Sequence, residues 1–417
     1  MVIPLAVWPE MLVLPLLFAL RADTVIVSPS GPYRTVAAAV SAAPAGGVVA
    51  VRAGRYREPV IQLDRPVALV GDSGAVLDGE GNHAIIIVHA NGVLIRGLRF
   101  VNTGSSYRED RAAVRVADAA GCRIESNRFD STFFAIYLAR ATDCVVDSNV
   151  IVGQPGREAA TGNGVHLWSS RNIHVVGNRI RGHRDGIYLE FTRHADVRDN
   201  VSEANVRYGM HFMYSDSSAY TGNTFRSNGG GVAVMYTKVV TMTRNLFTSN
   251  HGPASYGLLL KEIHDAHLDG NTFVANTVGL LADGADRIRA IGNRFDDNGW
   301  AVRLLASTID GRFEGNTFRR NSFDVAVNGS GTSTEFSGNW WDSYRGWDLN
   351  RDGIGDVPYH PVRLFALLVE HAQPVLLLQR SLFVKLLDAA ERALPVLTPA
   401  ELVDTAPLMH EPTGGPQ

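Results

Sequence analysis

The chain has 417 residues, a formal net charge of −3 and a hydrophobic fraction of 45%. This near-neutral balance, without a long basic run, argues against nucleic acid as a partner. Two cysteines are too few for a disulfide scaffold, whereas 41 glycines suit a chain with many tight turns.

The first 22 residues, 1–22, resemble a secretory signal peptide. Residues 11–20 are apolar but too few to span a bilayer, and Ala22 suits a cleavage site. The usual basic segment is missing, because Glu10 precedes the apolar run and no Lys or Arg does. On the strength of the apolar run and the cleavage site, we nevertheless expect export from the cytoplasm. Residues 33–43, rich in small side chains, predict a helix that caps the first coil of the following domain.

Residues 23–341 are organised around a repeated coil. Each coil has a short alternating apolar run, a polar corner and an anchor asparagine. The anchors recur every 22 to 29 residues, at Asn127, Asn149, Asn178, Asn200, Asn223, Asn245, Asn271, Asn293, Asn316 and Asn339. Short β-branched runs with Gly and Asn corners at this period are typical of a solenoid of strands. The sequence predicts an all-β fold, a right-handed parallel β-helix.

Two interior features follow from the period. Two residues after successive anchors lie Phe225, Phe247, Phe273, Phe295 and Phe318, which we expect to form one continuous stack, with the anchor asparagines as a hydrogen-bonded ladder. Cys122 and Cys144 are one period apart and should be stacked core thiols. A disulfide between them stays open, although in-register neighbouring strands fit its geometry poorly.

Strand alternation also assigns an outward face. Two neighbouring columns of this face carry the candidate site residues His166, Trp168, Tyr188, Glu190, His211, Met213 and Met235. An exposed aromatic and methionine surface is unusual on a soluble rod. Three interpretations are open: a face covered by another segment, a docking surface for a protein partner, or a transient Cu(I) site, since imidazole and thioether ligands suit that ion.

Residues 342–361 form an Asp- and Asn-rich loop that follows the last coil. Its candidate calcium ligands are Asp348, Asn350, Asp352 and Asp356, because alternate oxygen-bearing side chains with a Gly turn resemble the start of a calcium loop. A turn held by these side chains, without metal, is the alternative.

Residues 362–397 change to a helical pattern and predict an apolar helical hairpin. The candidate membrane-partner docking residues are Leu364, Phe365, Leu368, Leu376, Leu377, Phe383, Leu386 and Leu387. These helices are too short and too charged to span a bilayer, yet too apolar to lie free in water. Residues 398–417, rich in Pro and Gly, predict a disordered tail.

The chain resembles the NosD family, whose coils belong to the broad class of carbohydrate-binding and sugar-hydrolase repeats. The resemblance depends on Tyr208-Gly-Met-His-Phe-Met-Tyr, on Trp340-Trp-Asp-Ser-Tyr-Arg-Gly-Trp-Asp, on Asp352-Gly-Ile-Gly-Asp-Val-Pro-Tyr and on the apolar helical tail. It implies a non-enzymatic periplasmic factor, peripheral to the inner membrane, for assembly of the copper–sulfide centre of nitrous oxide reductase. It also implies as partners an ABC-type ATPase and membrane permease, a copper chaperone and the reductase.

The main alternative is a carbohydrate-binding or carbohydrate-active β-helix protein: a lyase, hydrolase or epimerase. Such sites need paired carboxylates, or a carboxylate-bound calcium with a basic residue, on one sheet face, and the candidate face offers only Glu190. A structural adhesin-like rod would explain the coils but not the apolar helices. The sequence has no phosphate-binding loop, so any ATP use belongs to another chain. No cofactor is certain from the sequence; Cu(I) and calcium are the candidates.

Overall fold

The computed structural model describes residues 23–106, 109–154, 156–251, 255–305, 308–328, 333–379, 381–393 and 402–412. The predicted signal peptide lies outside these residues. The described chain winds into a parallel β-helix, one of whose sheets has 13 strands. The predicted all-β, parallel β-helix class is therefore confirmed.

The strands follow one another in short segments. They are β1 (Thr24–Val27), β2 (Gly47–Val51), β3 (Gly54–Tyr56), β4 (Ile61–Leu63), β5 (Val67–Gly71), β6 (Ala75–Asp78), β7 (Ile86–Val88), β8 (Leu94–Arg96), β9 (Arg99–Val101), β10 (Ala112–Ala117), β11 (Arg123–Glu125), β12 (Arg128–Asp130), β13 (Phe134–Ala139), β14 (Val145–Asp147), β15 (Val150–Val152), β16 (Val165–Trp168), β17 (His174–Val176), β18 (Arg179–Arg181) and β19 (Asp185–Glu190). They continue as β20 (Asp196–Arg198), β21 (Val201–Glu203), β22 (Tyr208–Met213), β23 (Ser218–Thr221), β24 (Thr224–Arg226), β25 (Gly230–Thr243), β26 (Leu246–Thr248), β27 (Leu258–Asp269), β28 (Thr272–Val274), β29 (Val278–Asp283), β30 (Asp286–Ile291), β31 (Arg294–Asp296), β32 (Trp300–Leu305), β33 (Arg312–Glu314), β34 (Thr317–Arg319), β35 (Phe323–Asn328), β36 (Glu335–Ser337) and β37 (Trp340–Trp341).

The helices lie at the two ends of the rod. They are α1 (Val36–Ala42), α2 (Leu364–His371) and α3 (Leu382–Ala393), with 3₁₀ turns at Glu158–Ala160 and Gln373–Leu378. α1 begins after Thr35, whose hydroxyl accepts a hydrogen bond from the Ala38 amide. Its buried face, with Val36 and Val40, packs into the N-terminal end of the core.

Each complete coil contributes one strand to each of three parallel sheets, as β10, β11 and β12 do. Strands of successive coils pair in register; β13 for example lies beside β10 and β16. β25 and β27 are long enough to turn the corner between the first and second sheets. The register places equivalent residues of successive coils above one another, which fixes every side-chain column described below.

The anchor asparagines form the predicted ladder. In every anchor before Asn339, the side-chain Nδ2 donates to the Oδ1 of the next anchor, as from Asn223 to Asn245 at 3.0 Å, and the backbone amide donates to the same oxygen at 3.0 Å. Residues at most of the sharp corners adopt positive φ, which Gly, Asn, Asp and Ser tolerate best. The ladder satisfies corner amides that would otherwise be buried without partners.

The predicted phenylalanine stack is confirmed. Phe247, Phe273 and Phe295 are fully or almost fully buried, with ring centroids 4.7 Å apart and nearly parallel planes. Cys122 and Cys144 are buried free thiols, one above the other, with the Cys122 amide 3.3 Å from the Cys144 sulfur. The interior is thus built from repeated layers of like side chains.

The prediction of a disordered tail is wrong for residues 402–412. Asp404 is fully buried, and its Oδ2 accepts hydrogen bonds from the Asn339 amide at 3.1 Å, the Asn339 Nδ2 at 3.0 Å and the Trp341 Nε1 at 3.0 Å. Asp404 therefore occupies the place of the next anchor. The last member of a ladder needs only to accept, so a carboxylate suits it better than an amide. Residues 413–417 and 394–401 lie outside the described residues.

Candidate partner surface and apolar foot

Two columns of the first sheet carry the site residues predicted from the sequence. The inner column is Tyr137, His166, Tyr188, His211, Ala233 and Leu259, and the outer column is Ala139, Trp168, Glu190, Met213, Met235 and Lys261. The structure therefore brings all seven predicted residues together on neighbouring coils. We call these two columns the candidate face.

The expectation that the whole face is exposed is wrong for the inner column. His166, Tyr188 and His211 are only 5 to 9% exposed. In-register stacking places each ring 4.5 to 5.0 Å from the ring of the next coil, so each side chain covers its neighbours. Burial, with a smaller contribution from the nearby Arg184, lowers the pKa of His166 to about 3. His166 is therefore neutral at physiological pH.

The outer column is half-buried and has specific contacts. The guanidinium of Arg140 lies 5.3 Å from the Trp168 ring, a cation–π geometry. The Tyr188 hydroxyl lies 3.8 Å from the Met213 sulfur and can donate to it. Lys261 pairs with Asp283 at 3.6 Å. Only the outer column offers side-chain surface to a partner.

A buried ion pair beside the face was not predicted from the sequence. Asp185 is fully buried and accepts two hydrogen bonds from Arg207, Nε to Oδ1 at 3.0 Å and Nη2 to Oδ2 at 2.6 Å. The Tyr208 amide also donates to Asp185 at 3.2 Å. The two side chains come from successive coils, so their contact can be recognised only when the register of the strands is known. The one signal in the sequence is an acidic residue that is followed by Arg207 one period later.

This ion pair also contacts His211. The Arg207 Nη2 lies 3.0 Å from the His211 Nδ1, and the Asp185 Oδ2 lies 3.7 Å from the same nitrogen. The other ring nitrogen, Nε2, is buried and has no hydrogen-bond partner among the described residues. Neither nitrogen of His211 is therefore open to a metal ion from solvent. Of the predicted copper ligands, the thioethers of Met213 and Met235 fit a soft ion better than His211 does.

The C-terminal helices divide the predicted docking residues into two groups. Phe365 is buried against Phe323 of the last coil, with ring centroids 5.8 Å apart, and Leu364, Leu376 and Leu387 are partly covered. The remaining predicted residues are exposed, together with Leu378 and Leu382, which were not predicted. This exposed group, at 37 to 90% exposure, is Leu368, Leu377, Leu378, Leu382, Phe383 and Leu386. We call it the apolar foot.

The foot is fixed firmly to the rod. Arg303 of β32 pairs with Glu370 of α2 at 2.8 Å, and the Leu364 amide donates to Glu391 of α3 at 2.7 Å. Residues on both sides of the helices in sequence pack on the last coil. The Tyr359 ring lies 5.0 Å from the Trp341 ring, and Asp404 accepts hydrogen bonds from Asn339 and Trp341. No helix within the described residues is long and apolar enough to cross a membrane.

Asp324 lies between the last coil and α2. Burial raises the pKa of its carboxyl group to about 6. The hydroxyls of Ser343 and Tyr359 each lie 3.3 Å from its Oδ2. Because the pKa in the folded protein exceeds the usual value near 3.9, folding favours the protonated carboxyl. This group therefore stabilises the fold least above pH 6, and stability should fall as pH rises from about 4 to 6.

We expect Asp324→Asn to remove this pH dependence. At pH 7.5 the variant should be more stable than the wild type by up to about 3 kcal/mol, the free energy of a shift of roughly two pKa units. At pH 4 the two should be nearly equal. Denaturation at both pH values measures the difference, with Asp297→Asn, at an exposed pair with Arg320, as the control. An Asn variant that loses stability at pH 7.5 would contradict this.

The predicted calcium loop is held by its own backbone. Asp348 accepts from the amides of Arg351, Asp352 and Gly353, and Asp356 accepts from that of Leu349. Within the described part of the chain, no cluster of three or more His, Cys, Asp or Glu side chains could hold a metal ion. The metal-free turn accounts for these contacts, and calcium stays a prediction.

Treatment with a chelator distinguishes a calcium site from a metal-free turn. If calcium binds, removing it should lower the melting temperature by a few degrees, because a ligand that binds only the folded state stabilises it. Asp352→Ala should abolish that response. An unchanged melting temperature after chelation would establish the metal-free turn.

The sequence matches a family model over part of its length and related proteins over most of it. A family model described as "NosD: Periplasmic copper-binding protein (NosD)" matches residues 154–346. The "Probable ABC transporter binding protein NosD" of Pseudomonas aeruginosa is 32% identical over 385 residues, which cover 88% of this chain and 89% of that protein. A protein of the same name from Stutzerimonas stutzeri is 30% identical over 382 residues, covering 87% of this chain and 86% of that protein.

Solved structures share the fold. DFA-IIIase from Arthrobacter chlorophenolicus A6, in complex with GF2, has a TM-score of 0.50 at 14% identity, covering 75% of this chain and 98% of that one. At this identity the likeness concerns the β-helix alone.

Proposed function

The chain belongs to the NosD family, and on that premise we propose that it is a periplasmic accessory protein of an ABC transporter complex that serves assembly of the copper–sulfide centre of nitrous oxide reductase. The description of the matching family as periplasmic and copper-binding, and the relatives' name as ABC transporter binding proteins, support this proposal. In it the chain is not an enzyme. It is a docking platform for a copper chaperone and for the reductase.

The observation that carries the proposal is the apolar foot. Six large apolar side chains are exposed together at one end of the rod, and patches of this kind on soluble proteins mark interaction sites. An ABC-type permease in the inner membrane, driven by its ATPase, is the partner that such a foot suits. The chain would then be peripheral to the inner membrane, with its coils directed away from it.

Copper enters the proposal as cargo rather than as a resident cofactor. Met213 and Met235 lie in register on adjacent strands, and their half-buried thioethers are soft ligands that suit Cu(I). His211 is buried, and its Nδ1 lies against Arg207, so it takes no direct part in this contact. We therefore propose brief contact of Cu(I) with the two methionines during transfer.

A carbohydrate-active enzyme is the alternative, and it has less support. Asp185 is a buried carboxylate on the same strand as Tyr188 and Glu190, but both of its oxygens are bonded to Arg207. A general acid or base needs a proton-exchanging oxygen that reaches substrate. Glu190 would have to act without a paired carboxylate.

Replacing Met213 and Met235 by Leu and His211 by Gln tests the face. These changes nearly keep the side-chain volumes but remove both thioethers and the imidazole. We expect about tenfold slower loading of copper into the reductase, equivalent to about 1.4 kcal/mol, with an unchanged melting temperature. The matched control is Met242→Leu, a buried core methionine. Full copper content at the wild-type rate would show that this face is not the working surface.

A further inference from the structure

A second asparagine ladder runs along the rod, five residues after the anchors. The backbone amide of each member donates to the Oδ1 of the next at 3.0 to 3.2 Å. The side-chain Nδ2 donates to the same oxygen at 2.9 to 3.4 Å. The members are Asn205, Asn228, Asn250, Asn276, Asn298 and Asn321. This second ladder ends at Asn321, just before β35.

The end of the second ladder differs from the end of the first. The Asn321 Nδ2 donates to the Phe295 carbonyl at 2.9 Å, which uses one of its two N–H bonds. Its other N–H bond and the Asn321 backbone amide have no hydrogen-bond partner among the described residues. In the first ladder, one carboxylate oxygen of Asp404 accepts from both the amide and the Nδ2 of Asn339. The same pair of donors at Asn321 therefore suits a carboxylate oxygen.

Asn321 lines a cavity of about 220 Å³ between the last coil and α2. The guanidinium of Arg363 and the hydroxyl of Ser322 are further donors in its walls, and Asp324 and Asp342 are acceptors. A cavity of roughly 150 Å³ is enough to hold benzene. This cavity therefore has room for one small molecule and has polar groups to orient it.

The walls of the cavity carry both signs of charge. Arg363 hydrogen-bonds to the Tyr359 hydroxyl and attracts the Asp324 carboxylate. Burial nevertheless raises the pKa of Asp324 to about 6, so a second cation beside this carboxylate would be favourable.

These charges restrict the class of ligand. A simple anion would meet two carboxylates, those of Asp324 and Asp342. A metal ion would meet the Arg363 guanidinium, and no cluster of three or more ionisable ligands lies within the described part of the chain. A small molecule that carries both a carboxylate and an ammonium group matches both signs.

We propose that this cavity binds a free amino acid. Its carboxylate accepts from the amide and the Nδ2 of Asn321 and faces Arg363, and its ammonium group lies against Asp324 and Asp342. The ligand thereby completes the second ladder as Asp404 completes the first. Because the walls belong to the last coil and to α2, a bound amino acid stabilises the attachment of the apolar foot to the rod. The site does not depend on the proposed function.

Titration of the full chain with glycine, L-alanine, L-serine and L-cysteine tests the site. At least one of them should raise the melting temperature saturably, with a Kd on the order of 0.1 mM, since so small a ligand offers few contacts. Acetate and methylamine each carry only one of the two charges and should bind at least about tenfold more weakly.

The variant Arg363→Gln should weaken amino-acid binding at least about tenfold, because it removes the cation that faces the carboxylate. The matched control is Arg320→Gln, next to Asn321 in sequence but at an exposed pair with Asp297 outside the cavity. It should bind like the wild type. Isothermal titration calorimetry measures the affinities.

Four results would overturn the inference. The first is no response to any of the four amino acids, which leaves the proposed function intact. The second is acetate that binds as tightly as the amino acids, which assigns a simple anion site. The third is wild-type affinity in Arg363→Gln. If that variant fails to fold, Ser322→Phe, which adds a ring at an exposed position in the cavity wall, is used instead, and unchanged binding by it is the fourth.

Discussion

Replacing Phe273 by Ala should lower the free energy of unfolding by about 3–5 kcal/mol. The ring is fully buried and stacks at 4.7 Å on Phe247 and on Phe295. Its loss leaves a cavity that neither neighbour can fill, because the strand register fixes both rings. Chemical denaturation measures the change.

The control for this prediction is Phe383→Ala, at an exposed ring of the foot, which should change stability by less than about 1 kcal/mol. Phe273→Leu should cost less than Phe273→Ala, since part of the volume remains. An Ala variant as stable as the wild type would mean that the phenylalanine stack does not stabilise the core.

Replacing Leu377, Phe383 and Leu386 by Ser should abolish association with the membrane permease. Burial of three such side chains contributes about 5–9 kcal/mol before the costs of association, so affinity should fall at least about a hundredfold. Co-purification from membranes in detergent is the measurement. Deleting all residues after Tyr359 is a poorer test, because it also removes Asp404 and leaves the ladder without its terminal acceptor.

The matched control replaces three apolar side chains elsewhere on the rod. Ile26, Ile291 and Ile309 are 37 to 42% exposed and lie outside the foot, and their Ser variants should co-purify like the wild type. If the foot variant co-purifies equally well, the helices serve only as a cap on the last coil.

The repeated features of this protein could be predicted from the sequence because a fixed period determines them. Once the strand register is assumed, Asn223 must lie above Asn245 and Phe247 above Phe273. The same reasoning found the columns of the candidate face. It misjudged exposure there, since burial of His166 and His211 depends on how closely the rings of neighbouring coils approach.

Features that depend on single contacts were not predictable. Asp404 completes a ladder whose preceding member is 65 residues away. The composition of the residues around it, which are rich in Pro and Gly, predicted disorder instead. Arg207 and Asp185 are one coil apart, and nothing in their local sequence indicates a pair. The exposed stack of Phe191, Tyr214 and Tyr236 was not predicted, because these residues fall at turn positions, where strand alternation assigns no face.

Cells that produce nitrous oxide reductase but lack this chain provide the decisive experiment for the proposed function. We expect their reductase to be exported and folded but to lack the copper and absorbance of its copper–sulfide centre, with both restored by the wild-type chain and not by the foot variant. Reductase with full copper content and activity in the absence of this chain would contradict it.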